Sequence, residues 1–87
     1  MKKETMLELL NKLNSEGMLY FFLASMISAD STRSVADCEH SIEILKATKE
    51  SAPESELTDE QKAYVDKFCD KGVDICEAQK RILENIN

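Results

Sequence analysis

The chain has 87 residues, enough for one domain over residues 1–87, and its 43% apolar and 32% charged side chains are typical of a folded protein. Its two glycines and single proline leave little room for the tight turns of an all-β fold, so the composition favours helices. The formal net charge of −6 disfavours direct binding to nucleic acid.

Cysteine usage and hydropathy indicate a cytoplasmic protein. Three cysteines, Cys38, Cys69 and Cys76, cannot all pair within one chain. Charged and amide side chains interrupt the N-terminal segment where a secretory signal needs an apolar core. The apolar run of residues 18–27 is shorter than the roughly 20 residues that span a bilayer. We therefore expect reduced thiols and no membrane span.

The first predicted helix covers residues 3–29, where apolar side chains recur at three- and four-residue steps along one face. Its second half contains the run of residues 18–27 (MLYFFLASMI), in which Ser25 is the only polar side chain. Such a segment is apolar on almost every side, whereas a helix in a small domain usually has one polar face. The alternative is a break at Gly17, since glycine often ends helices. A single continuous helix is the favoured interpretation.

The second predicted helix covers residues 32–51. Asp30, Ser31 or Thr32 is suited to cap its start, because short polar side chains accept hydrogen bonds from the first backbone N–H groups of a helix. Pro53 ends the helix, because the residue before a proline is displaced from helical backbone angles. A polar connector then leads into the third helix.

The third predicted helix covers residues 59–86. Thr58 and Gln61 have the spacing of a capping box, in which each side chain accepts a hydrogen bond from the other residue's backbone N–H. A mainly apolar seam follows at alternating three- and four-residue steps, a pattern suited to helix packing. The seam consists of Val65, Phe68, Gly72, Ile75, Gln79, Ile82 and Ile86, with Cys69, Cys76 and Leu83 beside it.

These elements predict an all-α fold, a three-helix antiparallel bundle in up-down-up order with the first helix at its centre. The second and third helices each have one main apolar stripe, so together they cover about two sides of the first helix. The side left over predicts a homodimer or higher oligomer, because exposed apolar surface marks association sites. The predicted contact residues on that side are Leu19, Phe22, Leu23 and Met26.

Chemistry-bearing residues are few. His40 lies one turn from Asp37 and from Glu43, and we interpret it as a solvated or partly packed side chain. Cys69 and Cys76 are two turns apart, about 10.5 Å, which is too far to share a metal or to bond with each other. We interpret the thiols as buried and structural. The sequence therefore predicts no enzyme, no cofactor and no metal site.

Acidity is concentrated in residues 50–60, which hold five acids and no base. Four of these carboxylates are predicted to steer a basic partner toward the chain. They are Glu54, Glu56, Asp59 and Glu60. The favoured function is a small acidic protein-binding module, an adaptor or an inhibitor, that associates with itself and with another protein through its helices.

Two alternatives remain open. The first is a nucleic-acid-mimicking inhibitor of the anti-defence type, whose acids block a basic groove; the row Asp66, Asp70 and Asp74 motivates it together with the 50–60 segment. The second is a sponge for a small ligand or nucleotide, bound between subunits. Its candidate polar groups are Tyr20, Arg33, His40 and Tyr64.

Overall fold

The structure, a computed structural model, describes residues 3–26 and 34–86. All regular structure in these ranges is helical, so the all-α class is confirmed. Four α-helices are present there: α1 (Lys3–Ser15), α2 (Leu19–Met26), α3 (Val35–Ser51) and α4 (Asp59–Ile86). A short 3-10 helix (Ala52–Glu54) directly follows α3.

The prediction of one continuous first helix is wrong, because the helix ends near Gly17 and a second helix begins at Leu19. The Gly17 N–H donates to the Asn14 carbonyl at 3.2 Å, and the Met18 N–H donates to the Leu13 carbonyl at 2.8 Å. These two bonds form a Schellman motif, which ends a helix with one residue in the left-handed region. Gly17 has φ +72°, a conformation that glycine adopts without steric penalty. The open alternative at Gly17 is therefore the observed one.

Replacing Gly17 with alanine is expected to lower the free energy of unfolding by about 1 kcal/mol, because a Cβ is strained at positive φ. No atom lies within 4 Å of where that Cβ would stand, so the cost comes from the backbone alone. Urea unfolding measures the change. Gly17→Asn is the control, since asparagine tolerates this region and should lose less. Equal losses in both variants would argue against the left-handed turn.

The α3 helix begins later than residue 32. Its N-cap is Ser34, whose Oγ accepts from the Asp37 N–H at 3.2 Å while its own N–H donates to Asp37 Oδ2 at 3.0 Å. This is a capping box that uses aspartate at its third position. The predicted caps Asp30, Ser31 and Thr32 lie outside the described residues. The end of α3 at Ser51, just before the 3-10 helix that holds Pro53, confirms the proline stop within two residues.

The start of α4 agrees with the predicted capping box. The Gln61 N–H donates to Thr58 Oγ1 at 3.1 Å, and the Thr58 N–H donates to Gln61 Oε1 at 2.9 Å. The Gln61 side chain also donates to Asn14 Oδ1 at 2.8 Å, so the same cap ties the end of α1 to the start of α4.

The α3 and α4 helices pack antiparallel, as two ion pairs between them show. Lys49 pairs with Asp70 near the end of α3, and Lys80 pairs with Glu39 at 3.2 Å near its start. The α1 helix packs against the end of α3, where Thr48 Oγ1 is 3.5 Å from Met6 Sδ and the Ser51 hydroxyl donates to the Lys3 carbonyl. The core is formed by buried side chains from all four helices and the connector: Met6, Leu10, Leu19, Leu23, Leu45, Ala52, Leu57, Val65, Cys69 and Cys76.

The predicted seam of α4 is buried only in part. The face against the core is formed by Val65, Cys69, Gly72 and Cys76. Ile82 and Ile86, near the end of the helix, are instead 60% and 73% exposed. The reason is that the core uses Cys69 and Cys76, one position after Phe68 and Ile75 and therefore about 100° further round the helix. All three cysteines are free and buried, which confirms them as packed thiols.

Candidate functional site

Two of the predicted contact residues lie in the core. Leu19 is 2% exposed and Leu23 is 0% exposed, so they hold α2 on the bundle and offer no surface to a partner in this conformation. Phe22 is half-buried. The side chain of Met26 lies outside the described part of the chain. The side of α2 that was predicted to bind a partner therefore mainly packs against the core. The prediction of Leu19 and Leu23 as contact residues is corrected accordingly.

The exposed apolar side chains lie on the other side of α2. Phe21 is 72% exposed, Tyr20 is 49% exposed, and Met18 just before the helix is also exposed. The cause is in the composition of α2, which has only one polar side chain, Ser25, among its eight residues. One side of this helix covers the core, and the apolar side chains of the opposite side face water.

An aromatic surface joins α2 to α4. Tyr20 meets Tyr64 edge to face, with ring centroids 4.9 Å apart and planes at 86°. Tyr64 in turn lies beside Phe68 in a stacked arrangement, with centroids 6.0 Å apart and planes at 26°. Phe21 follows Tyr20 in the chain and extends the group. We call Tyr20, Phe21, Tyr64 and Phe68 the aromatic surface. The rings of Tyr20, Tyr64 and Phe68 contact one another before any partner arrives, so little ordering of these three is left for binding.

Two lysines border this surface. Lys67 and Lys71 line a shallow groove of about 310 Å³ together with Tyr64 and Phe68. Both lysines are exposed, and neither forms an ion pair with another residue of the described ranges. A positive border is unexpected in a chain of net charge −6. The two lysines therefore place positive charge on one side of the aromatic surface.

The predicted acidic residues are divided between the connector, which contacts α1, and the first turn of α4. Glu54 pairs with Lys3 at 3.1 Å, and the Glu56 N–H donates to Asn11 Oδ1 at 2.9 Å. Asp59 and Glu60 occupy the first turn of α4, where negative charge suits the positive end of the helix dipole. Glu60 lies one turn before Tyr64, so the connector reaches the edge of the aromatic surface.

The acidic row on α4 is partly neutralised by α3. Lys49 lies 3.8 Å from Asp66 and hydrogen-bonds Asp70. The bond to Asp70 raises the pKa of Lys49 above its usual value, with Asp66 adding to the effect. Asp74, the third member, is exposed. This pairing reduces the negative charge that the row offers to a basic groove.

Cys69 lies behind the same row and has no reactive character. Burial raises the pKa of its thiol to about 12, and the negative charges of Asp66 and Asp70 add to the rise. A thiol with so high a pKa stays protonated and makes a poor nucleophile or metal ligand. Within residues 3–26 and 34–86, no group of three or more histidine, cysteine, aspartate or glutamate side chains is placed to hold a metal ion.

The polar groups considered for a small ligand do not converge. His40 is exposed on α3, whereas Tyr20 and Tyr64 contact each other on the aromatic surface. Arg33 lies outside the described ranges. A separate groove of about 380 Å³ between α3 and α4 has mixed charge, and its Lys80 pairs with Glu39 and with Glu84. The pKa of Lys80 is raised, mainly by the hydrogen bond to Glu39.

Sequence reasoning missed the contact between Tyr64 and Phe68, although their four-residue spacing places them on one side of α4. The heptad seam assigned Phe68 to the core, against which it is partly packed, and left Tyr64 out. Tyr20 was considered only as a polar group for a small ligand, and Phe21 belonged to the apolar run without being singled out. The missing information was the turn at Gly17, which sets the direction of α2 and thereby decides which of its side chains face water.

No helix within the described ranges is long and apolar enough to cross a membrane. Comparison with family models, with curated proteins and with solved structures finds no match to this chain.

Proposed function

We propose that this chain is a small protein-binding module, an adaptor or an inhibitor, that recognises its partner through the aromatic surface. The observation that carries the proposal is the 72% exposure of Phe21, which directly follows Tyr20 in the chain, together with the contact between the rings of Tyr20 and Tyr64. Aromatic side chains are enriched in the centres of protein interfaces, where they bury large areas with little loss of side-chain freedom.

The helical packing supports this role. Leu19 and Leu23 fix α2 from its buried side, and the edge-to-face contact with Tyr64 fixes it from the exposed side. The surface is therefore built on helices that the core holds in place, which favours binding without rearrangement. Asp59 and Glu60 at its edge supply negative charge for basic groups of a partner.

The proposal places the module in the cytoplasm as a non-enzymatic protein. Three free, buried thiols suit a reducing compartment. An exposed aromatic surface of this kind is suited to packing against another protein.

Affinity purification from the organism that produces the chain tests the proposal. The wild-type chain is compared with Phe21→Ser and with Ile86→Ser as matched control, since the two side chains are 72% and 73% exposed. We expect the wild type and Ile86→Ser to co-purify equal amounts of the same partner protein. Phe21→Ser should co-purify at least ten-fold less of it. Equal retention by Phe21→Ser and the control would reject the aromatic surface as the binding site.

A further inference from the structure

We infer that a second copy of this chain occupies the aromatic surface, with α4 packed antiparallel against α4 of that copy about a two-fold axis close to residues 64–67. The inference rests on the proposed function, because it names the partner of the same surface. It is carried by the order of charges and rings along one side of α4.

That side of α4 presents an acid at its start and a base at its end, with two aromatic rings and a second base between them. Glu60, Tyr64, Lys67, Phe68 and Lys71 follow one another at three- and four-residue steps, so they lie on one side of the helix. Glu60 and both lysines are exposed, and none of the three forms an ion pair inside the described parts of the chain. Each charge is therefore available to a partner.

The order of charges on one α4 helix is complementary to that on a second α4 helix running in the opposite direction. In a two-fold interface, if residue i of one subunit meets residue j of the other, then j also meets i. An axis midway between Tyr64 and Lys67 is also midway between Glu60 and Lys71, which are about 16 Å apart along the helix. Glu60 of each copy then faces Lys71 of the other copy, and Tyr64 of each copy faces Lys67 of the other copy beside the axis.

Other arrangements lack this match. A parallel pairing of the two helices sets Glu60 against Glu60 and Lys71 against Lys71, and like charges in contact oppose association. A different acidic partner would be repelled at long range by the net charge of −6. A second copy has the same net charge, but it also places its Lys71 opposite Glu60 and its Glu60 opposite Lys71.

Charge exchange tests this arrangement through the mass of the protein in solution. Light scattering at tens of micromolar compares the wild type with Glu60→Lys and Lys71→Glu, alone and mixed in equal amounts. We expect a wild-type dimer and at least a ten-fold weaker dimer for each variant alone, because each sets like charges together at two places. The mixture should recover the dimer, since a pair formed by one chain of each variant has opposite charges at both places.

Two further variants complete the test. The double variant Glu60→Lys/Lys71→Glu should dimerise as the wild type does, which also shows that the substituted chains fold. Glu50→Lys makes the same change of net charge as Glu60→Lys, but on the exposed surface of α3, and should leave the dimer intact.

A mixture that fails to recover the dimer, or a dimer that survives in both single variants, overturns the arrangement. A monomeric wild type also overturns it. If that monomer still retains another protein through Phe21, the proposed function stands alone; if Phe21 is dispensable as well, both fall.

Discussion

Leu23→Ala is expected to lower the free energy of unfolding by about 2–5 kcal/mol, the range found when a fully buried leucine is truncated. Leu23 is 0% exposed and belongs to the same core cluster as Leu10 and Leu45. The effect falls first on α2, because an isolated helix of eight residues is unstable in water without its packing. Urea unfolding followed by circular dichroism measures the loss.

Phe21→Ala is the matched control for Leu23→Ala. It removes a larger side chain two residues away in the same helix, but Phe21 is 72% exposed. We expect a change in the free energy of unfolding below about 0.5 kcal/mol, as for surface substitutions in general. If the two variants lost the same stability, or if Phe21→Ala lost more, the orientation of α2 described above would be wrong.

Between pH 8 and 9, Cys69 in the folded chain is expected to react with a thiol reagent several hundred-fold more slowly than a free thiol, roughly 500- to 900-fold from the thiolate fractions. Only the thiolate reacts, and burial together with Asp66 and Asp70 raises the pKa of Cys69 from 9.0 to about 12. Labelling followed by peptide mass mapping measures the rate at Cys69. The urea-unfolded chain, in which all three thiols should react quickly, is the control.

The same shift predicts how stability depends on pH. The folded state holds the Cys69 proton more tightly than the unfolded state, so its contribution is complete below pH 9 and is lost as pH rises from 9 toward 12. Lysines and tyrosines titrate in the same window, so the wild type is compared with Cys69→Ala. The variant should lose less stability over this pH range. A parallel decline in both proteins would show that Cys69 contributes nothing to it.

Local signals in the sequence predicted the helix boundaries well where a side chain caps or ends the helix through the backbone of nearby residues. Thr58 and Gln61 form the expected capping box, and α3 ends next to Pro53. These devices depend on residues three or four positions apart, so they can be identified without tertiary structure. The all-helical class follows from the same short-range information.

The orientation of α2 required information that the sequence pattern does not contain. A run that is apolar on every side has no preferred buried face, so Leu19, Phe22 and Leu23 looked equivalent to Tyr20 and Phe21. The Schellman turn at Gly17 and the contact between Tyr20 and Tyr64 decide among them. The second of these is a contact across 44 positions, and no local rule anticipates it.

The division of α4 into a buried and an exposed side shows the same limit. Phe68 and Ile75 fit a heptad seam as well as Cys69 and Cys76 do, because the two sets differ by one position. Packing selected the smaller thiols for the core. The larger side chains of Phe68 and Ile75 are half-buried at the edge of the core, where Phe68 contacts Tyr64 on the aromatic surface.

The most direct measurement is photo-crosslinking in the producing organism, with a photoreactive phenylalanine placed at position 21 or at position 86. Both positions are exposed to nearly the same extent, at 72% and 73%, but only Phe21 belongs to the aromatic surface. The predicted result is a strong crosslinked product from position 21, containing a partner protein or a second copy of the chain, and at most a weak one from position 86. Equal products from both positions, or none from position 21, would contradict binding through the aromatic surface.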